Sequence, residues 1–166
     1  GGDLLSITDE GGNNKFTISN CSESGITATG NGNDTYKYTN MYDCWIEDYA
    51  GNDNYNINKS WLSNIEDYAG SDVYKFTNTE SGYITDKSGD DIYSFIGSKT
   101  NFVSVTDYAG DDSYSIDLTK TKGAKYYIED YGSDAGDTLT IKGLSTKNIM
   151  YFSDYDKDGN CSGDMI

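Results

Sequence analysis

The sequence contains no histidine, arginine or proline, and only three cysteines in 166 residues. Without histidine, and with Cys21, Cys44 and Cys161 far apart, zinc and copper sites are not expected. No apolar run approaches the roughly 20 residues of a membrane-spanning helix, so membrane insertion is not expected either. The cysteines fit small buried residues that stay unpaired, although a bridge between Cys21 and Cys44 remains open.

Positive charge is scarce, because 12 lysines face 28 acidic residues and the net charge is −16. This balance argues against nucleic acids and anionic membranes as partners. So acidic a chain is either disordered or neutralised by bound cations. The 16 Tyr, 5 Phe and 2 Trp are too many aromatic residues for a solvated, disordered segment. Bound cations are the better interpretation.

A block of twelve residues, seen at 46–57, recurs along the chain. Clear copies run over 65–76, 84–95 and 105–116. Weaker copies lie at 7–18, in the segment that ends at Tyr38, and at 128–141. The second aspartate of the block recurs at intervals of 19, 19, 19, 21 and 25 residues, as Asp34, Asp53, Asp72, Asp91, Asp112 and Asp137. Such regularity is the signature of a repeat fold.

Each block predicts two short strands joined by a glycine-containing turn. Ile46 faces inward and Glu47 outward, and Tyr55 faces inward again after the turn. No helical period is present. Two strands per repeat of about 19 residues predict an all-β, parallel β-solenoid (β-roll-like) of about seven coils. An antiparallel sheet with acidic hairpin turns is the alternative, but hairpins would alternate in character.

Stacking of coils predicts three inward-facing rows of side chains. The first row contains Phe16, Tyr36, Tyr55, Tyr74, Tyr93, Tyr114 and Leu139. The second contains Ile18, Tyr38, Ile57, Phe76, Phe95, Ile116 and Ile141, and the third Ile7, Ile46, Ile65, Ile84, Val105 and Ile128. Two outward rows follow, which are Thr8, Glu47, Glu66, Thr85, Thr106 and Glu129, and Tyr49, Tyr68, Tyr108 and Tyr131.

The turn motif Gly51, Asp53 and Tyr55 resembles the calcium-binding nonapeptide G-G-x-G-x-D-x-U-x of RTX proteins (hemolysin-type calcium-binding repeats). The same triplet recurs in four other copies, and the resemblance spans roughly residues 7–141. It implies a calcium-binding β-roll that folds outside the cell after export. In that family calcium turns alternate on both sides of an 18-residue coil. Here 58–64 carries no such motif, so we expect one calcium column.

Electrostatics gives an independent reason for a metal. Aspartates at equivalent positions of stacked coils come within about 5 Å of each other, and like charges on paired strands destabilise a sheet. Ca²⁺ prefers carboxylate and carbonyl oxygens and tolerates flexible geometry better than Mg²⁺ does. The predicted ligands are Asp9, Asn14, Asp34, Asp48, Asp53, Asp67, Asp72, Asp86, Asp91, Asp107, Asp112, Asp130 and Asp137. The alternative is that the Asp-Gly turns only cap strands.

Near the end of the chain, Asp154, Asp156 and Asp158 have the spacing that begins an EF-hand calcium loop. Met165 occupies the position where that loop ends in glutamate, and no helical pattern flanks it. The segment is either an isolated calcium site outside the column or an acidic turn that ends or continues the solenoid. It belongs to the C-terminal edge, residues 142–166.

These patterns predict one domain over 1–166, a fragment of a larger protein, whose coils contact neighbouring repeats of the same chain. We expect a calcium-stabilised structural module of a secreted or cell-surface protein, such as a secretion-linked segment, a stalk or an adhesin. No catalytic residue is assigned, because the loops are short and the aspartates recur identically. Alternatives are a binding surface for carbohydrate or ice, favoured in part by the outward tyrosines, and a polysaccharide-active β-helix enzyme.

Overall fold

The computed structural model describes residues 4–97, 102–121, 123–132, 136–144 and 149–155, leaving aside the side chains of Ile149 and Asp154. The strands are β1 (Ser6–Asp9), β2 (Lys15–Ser19), β3 (Gly25–Ala28), β4 (Thr35–Thr39), β5 (Tyr42–Asp48), β6 (Asn54–Asn58), β7 (Trp61–Asp67), β8 (Val73–Thr77), β9 (Ser81–Asp86), β10 (Ile92–Ile96), β11 (Phe102–Asp107), β12 (Ser113–Asp117), β13 (Lys125–Asp130), β14 (Thr138–Lys142) and β15 (Ile149–Asp154). In this part of the chain, no helix is long and apolar enough to cross a bilayer.

The chain winds alternately through two parallel sheets. The odd-numbered strands form an eight-stranded sheet and the even-numbered strands a seven-stranded sheet, each in chain order along the axis. Each block pairs with its copies in neighbouring coils, so that Tyr55 lies beside Tyr36 and Tyr74. The predicted parallel β-solenoid of about seven coils is therefore confirmed, and the antiparallel alternative is wrong.

The predicted inner rows form the core. Rings of the first row stack with centroids 4.7 Å apart between Tyr55 and Tyr74 and 4.8 Å apart between Tyr74 and Tyr93. These rings are fully buried, whereas the predicted core residues of the end coils are only partly buried. A further inner row, not predicted, includes Leu62, Val103, Tyr126 and Met150. Cys21 and Cys44 are free thiols, so no bridge joins them.

The glycine of the motif turn stacks directly on the turn below. Gly70 has a φ of 155°, and a Cβ built on it would lie 1.6 Å from the carbonyl oxygen of Gly51. No other residue fits that space, and glycine also adopts this φ without strain. The same stacking repeats at Gly89 and Gly110. The tight turns bring the ends of the odd strands and the starts of the even strands together at one corner of the solenoid.

Candidate metal centre

Two columns of buried aspartates meet at this corner. The first column ends the odd strands, and its members Asp48, Asp67 and Asp86 lie beside one another in register. The second column directly precedes the even strands and contains Asp53, Asp72 and their equivalents. Members of both columns from Asp34 to Asp130 are at most 4% exposed. Buried carboxylates at this density require neutralisation.

From Asp48 to Asp130, each carboxylate of the first column accepts a hydrogen bond on both of its oxygens. In Asp67, Oδ1 accepts the backbone N–H of Ala69 at 3.1 Å, and Oδ2 accepts the hydroxyl of Tyr55 at 2.5 Å. Tyr55 belongs to the preceding coil, so this hydrogen bond links the first inner row to the turn of the next coil. The same tyrosine contact recurs in the pairs Tyr36–Asp48, Tyr74–Asp86, Tyr93–Asp107 and Tyr114–Asp130. These contacts hold the first column rigidly in place.

Four carboxylates of the second column have a hydrogen-bond donor on only one of their two oxygens. Oδ1 of Asp72 accepts the backbone N–H of Asp53 at 2.6 Å, and Oδ1 of Asp91 accepts that of Asp72 at 2.6 Å. The other oxygen, Oδ2, is buried without a hydrogen-bond partner in Asp53, Asp72, Asp91 and Asp112. Leaving a buried acceptor unpaired costs about 1–3 kcal/mol, and more when it is charged. These oxygens therefore need a cation or a proton.

The two columns combine into clusters of three carboxylates. Within each cluster one oxygen per residue lies within 4.8 Å of the others. The clusters are Asp34/Asp48/Asp53, Asp53/Asp67/Asp72, Asp72/Asp86/Asp91, Asp91/Asp107/Asp112 and Asp112/Asp130/Asp137. Four second-column aspartates, Asp53, Asp72, Asp91 and Asp112, each belong to two clusters and are therefore shared between neighbouring coils. All carboxylate clusters found among the described residues lie along this one corner of the solenoid, where the two columns meet.

The first coil shows that the elements of a cluster are lost together. In that coil Asn14 takes the place of the second aspartate, Ala28 that of the first, and Phe16 that of the tyrosine. Nδ2 of Asn14 donates to Oδ2 of Asp9 at 2.7 Å. The predicted ligands Asp9 and Asn14 thus contact each other but join no three-carboxylate cluster. In this coil the three-carboxylate cluster is therefore absent, and so is the tyrosine hydroxyl that would hold it.

Burial raises the pKa of three second-column carboxylates in the metal-free protein. Burial, opposed by the backbone hydrogen bond of Asp34, raises the pKa of Asp53 to about 8. Burial and then the charge of Asp67 raise the pKa of Asp72 to about 9. Burial and the charge of Asp86 raise the pKa of Asp91 to about 11. These second-column carboxylates therefore take up protons at neutral pH when no cation neutralises them.

The C-terminal acidic segment lies mostly outside the described residues, as do the predicted ligands Asp156 and Asp158. Strand β15 nevertheless pairs with β13 so that the backbone of Asp154 lies beside that of Asp130. The backbone of Asp154 therefore continues the register of the first column, in line with the alternative that the segment continues the solenoid. The sequence signal was available, because Asp154-Tyr155 matches Asp130-Tyr131.

Comparisons of the chain with protein-family models, curated proteins and solved structures give no match. The fold and the site by themselves define the class of protein. It is a parallel β-solenoid with a continuous column of buried carboxylate clusters that could hold metal ions.

Proposed function

We propose that this chain is a calcium-binding, calcium-stabilised structural module. One observation carries the proposal, which is the repetition of buried three-carboxylate clusters in which Oδ2 of Asp53, Asp72, Asp91 and Asp112 lacks a hydrogen-bond partner. A cation in each cluster satisfies these oxygens and removes the repulsion between stacked aspartates. Ion binding then becomes folding free energy, because an unfolded chain holds no such clusters.

The donor set favours calcium over other metals. The clusters offer carboxylate oxygens and, in the described part of the chain, neither imidazole nor thiolate. Ca²⁺ takes six to eight oxygens in flexible geometry, so backbone carbonyls or water would add to the three carboxylates. Mg²⁺ requires near-ideal octahedral geometry and dehydrates reluctantly. A fully buried column is a poor place for an ion that keeps several waters.

The biological setting follows from calcium availability and from the resemblance to RTX repeats. Extracellular calcium modules bind with dissociation constants of about 10⁻⁴–10⁻³ M. A chain that folds only at such concentrations remains unfolded inside the cell and folds after export. We therefore propose a secreted or cell-surface protein in which this solenoid serves as a stalk, spacer or secretion-linked segment. We assign the aspartates no catalytic role, because they make the same contacts in successive coils.

Far-UV circular dichroism tests the proposal. The β spectrum should be lost or weakened in EDTA, recover on addition of millimolar Ca²⁺, and recover poorly with the same concentration of Mg²⁺. A spectrum and melting temperature that are unchanged by EDTA would refute calcium stabilisation. Equal recovery with Mg²⁺ would refute the choice of ion and leave a general divalent site.

A further inference from the structure

A second feature of the fold is a row of exposed aromatic rings on the outer face of the odd-stranded sheet. We call Tyr42, Trp61, Tyr83, Phe102, Tyr127 and Tyr151 the aromatic row. Tyr42 is 55% exposed, Tyr83 46%, and Trp61 and Tyr127 38% each. The row lies near the starts of the strands, away from the metal corner at their ends. It follows the solenoid axis, one ring to each coil.

The rings of this row are tilted against one another. Tyr83 and Phe102 lie 5.4 Å apart at 47°, and Phe102 and Tyr127 lie 5.5 Å apart at 37°. Tyr42 and Trp61 meet edge to face at 84°. Tilted rings leave part of each face open to solvent. The rings are therefore accessible platforms and not a closed stack.

The outward tyrosines that the sequence suggested for sugar binding are different. Tyr49 and Tyr68 stack at 16° and Tyr108 and Tyr131 at 17°, so that their faces cover each other. The Lys87 ammonium lies 4.4 Å from the ring centroid of Tyr108 and occupies that face. The hydroxyl of Tyr49 donates to Glu47. These tyrosines are also exposed, Tyr49 at 43% and Tyr108 at 45%, but stacking leaves fewer of their ring faces free.

Two serine hydroxyls and one lysine accompany the aromatic row. Ser81 and Tyr83 are outward neighbours on β9, while β11 reverses the order with Phe102 and Ser104. Rings and hydroxyls thus alternate between these two strands, and Lys125 on β13 lies beside Phe102. The next outward row runs through Glu47, Glu66 and Thr85. Its glutamates repel anionic polymers, and they would face one another if a second copy docked on the same face.

We propose that the aromatic row binds a neutral polysaccharide chain lying along the solenoid axis. The C–H faces of sugar rings carry partial positive charge and suit the negative faces of aromatic rings. Sugar hydroxyls find donors and acceptors in Ser81 and Ser104 and acceptors in the glutamate row. A ligand of this chemistry needs no cationic side chain. The regular spacing of coils gives repeated contacts to a repeating polymer, which strengthens a weak single contact.

Affinity electrophoresis in millimolar Ca²⁺ tests this inference, using gels that contain hydroxyethyl cellulose, laminarin or dextran. We expect retardation by at least one of these neutral glucans. Tyr83→Ala combined with Tyr127→Ala should weaken the retardation about tenfold or more, since two ring platforms are lost. Tyr49→Ala combined with Tyr108→Ala is the matched control, because it removes two exposed tyrosines of the stacked column, and it should leave retardation unchanged. Far-UV spectra verify that both variants are folded.

Absence of retardation by all three glucans overturns the inference, as does equal weakening in both double variants. Polygalacturonate should not retard the protein, and retardation by it would refute the charge argument. Binding of polylysine alone, lost at high salt, would assign the face to a cationic peptide instead. None of these outcomes depends on which ion fills the aspartate column, provided that the protein is folded.

Discussion

Replacement of Asp72 by asparagine separates ion binding from the hydrogen bonds of the turn. Oδ1 of Asp72 accepts the backbone N–H of Asp53 at 2.6 Å, and an asparagine side chain can keep that contact. Only the unpartnered Oδ2 changes, from carboxylate oxygen to amide nitrogen. The substitution therefore removes one carboxylate from each of the two clusters that share this residue.

The expected sign of the effect differs with and without calcium. At a hundredfold excess of ion over its dissociation constant, one site stabilises a protein by about 2.7 kcal/mol, so two lost sites cost about 5 kcal/mol. In the metal-free protein, burial and the charge of Asp67 raise the pKa of Asp72 from 3.8 to about 9. Protonating it at neutral pH costs folding about 2–4 kcal/mol. Asparagine needs no proton, so the metal-free variant should be the more stable protein.

Urea unfolding followed by circular dichroism, in calcium and in EDTA, measures both effects, and isothermal titration counts the ions. Asp72→Asn should lose more than one calcium ion. Asp90→Asn is the matched control, since Asp90 is exposed and accepts the backbone N–H of Asp111 at 3.0 Å, as Asn52 does from Ser71. The control should change neither stability nor ion count. Equal destabilisation of Asp72→Asn in calcium and in EDTA, or an unchanged ion count, would refute the shared column.

Two further predictions concern the core and pH. Tyr74→Ala removes a fully buried ring and should lower the free energy of unfolding by about 3–5 kcal/mol, whereas Tyr68→Ala on the outer column should cost about 1 kcal/mol or less. Equal losses in thermal unfolding would mean that the inner and outer faces are misassigned. Burial raises the folded-state pKa of Asp53 from 3.8 to about 8 and that of Asp72 to about 9. Below about pH 4 both residues are protonated in the folded and in the unfolded chain, so the stabilising effect of their raised pKa values is fully present there. The free energy of unfolding of the metal-free protein should therefore fall as pH rises from about 4 to about 9. Saturating Ca²⁺ should abolish this fall. A metal-free protein that becomes more stable over this pH range would contradict the raised pKa values.

Much of the fold was predictable, because the repeat fixes both strand direction and register. The recurrence of Tyr55, Tyr74 and Tyr93 at one position requires that equivalent residues stack, and only parallel coils achieve this. The strict alternation around Ile65 likewise identified the inner face. The row through Leu62 and Val103 was not predicted, since the insertions in this half of the coil disturb the register and β7 contains an irregularity before Ile65.

The chemistry of the site was only partly predictable. Two aspartates per turn indicated a cation column, but not that the first would be held by a tyrosine hydroxyl from the preceding coil. The signal was present in the choice of tyrosine over phenylalanine at Tyr55, and in the joint absence of hydroxyl and carboxylate at Phe16 and Ala28. Sequence order hides this link, because the two partners lie twelve residues apart on different sheets.

The most direct test is anomalous diffraction from crystals grown in millimolar Ca²⁺. We expect peaks at the shared clusters around Asp72, Asp91 and Asp112, each about 2.3–2.6 Å from its carboxylate oxygens. Soaking in EDTA should remove these peaks. A column without peaks in calcium, in which each Oδ2 instead shares a proton with a neighbouring carboxylate, would contradict the account.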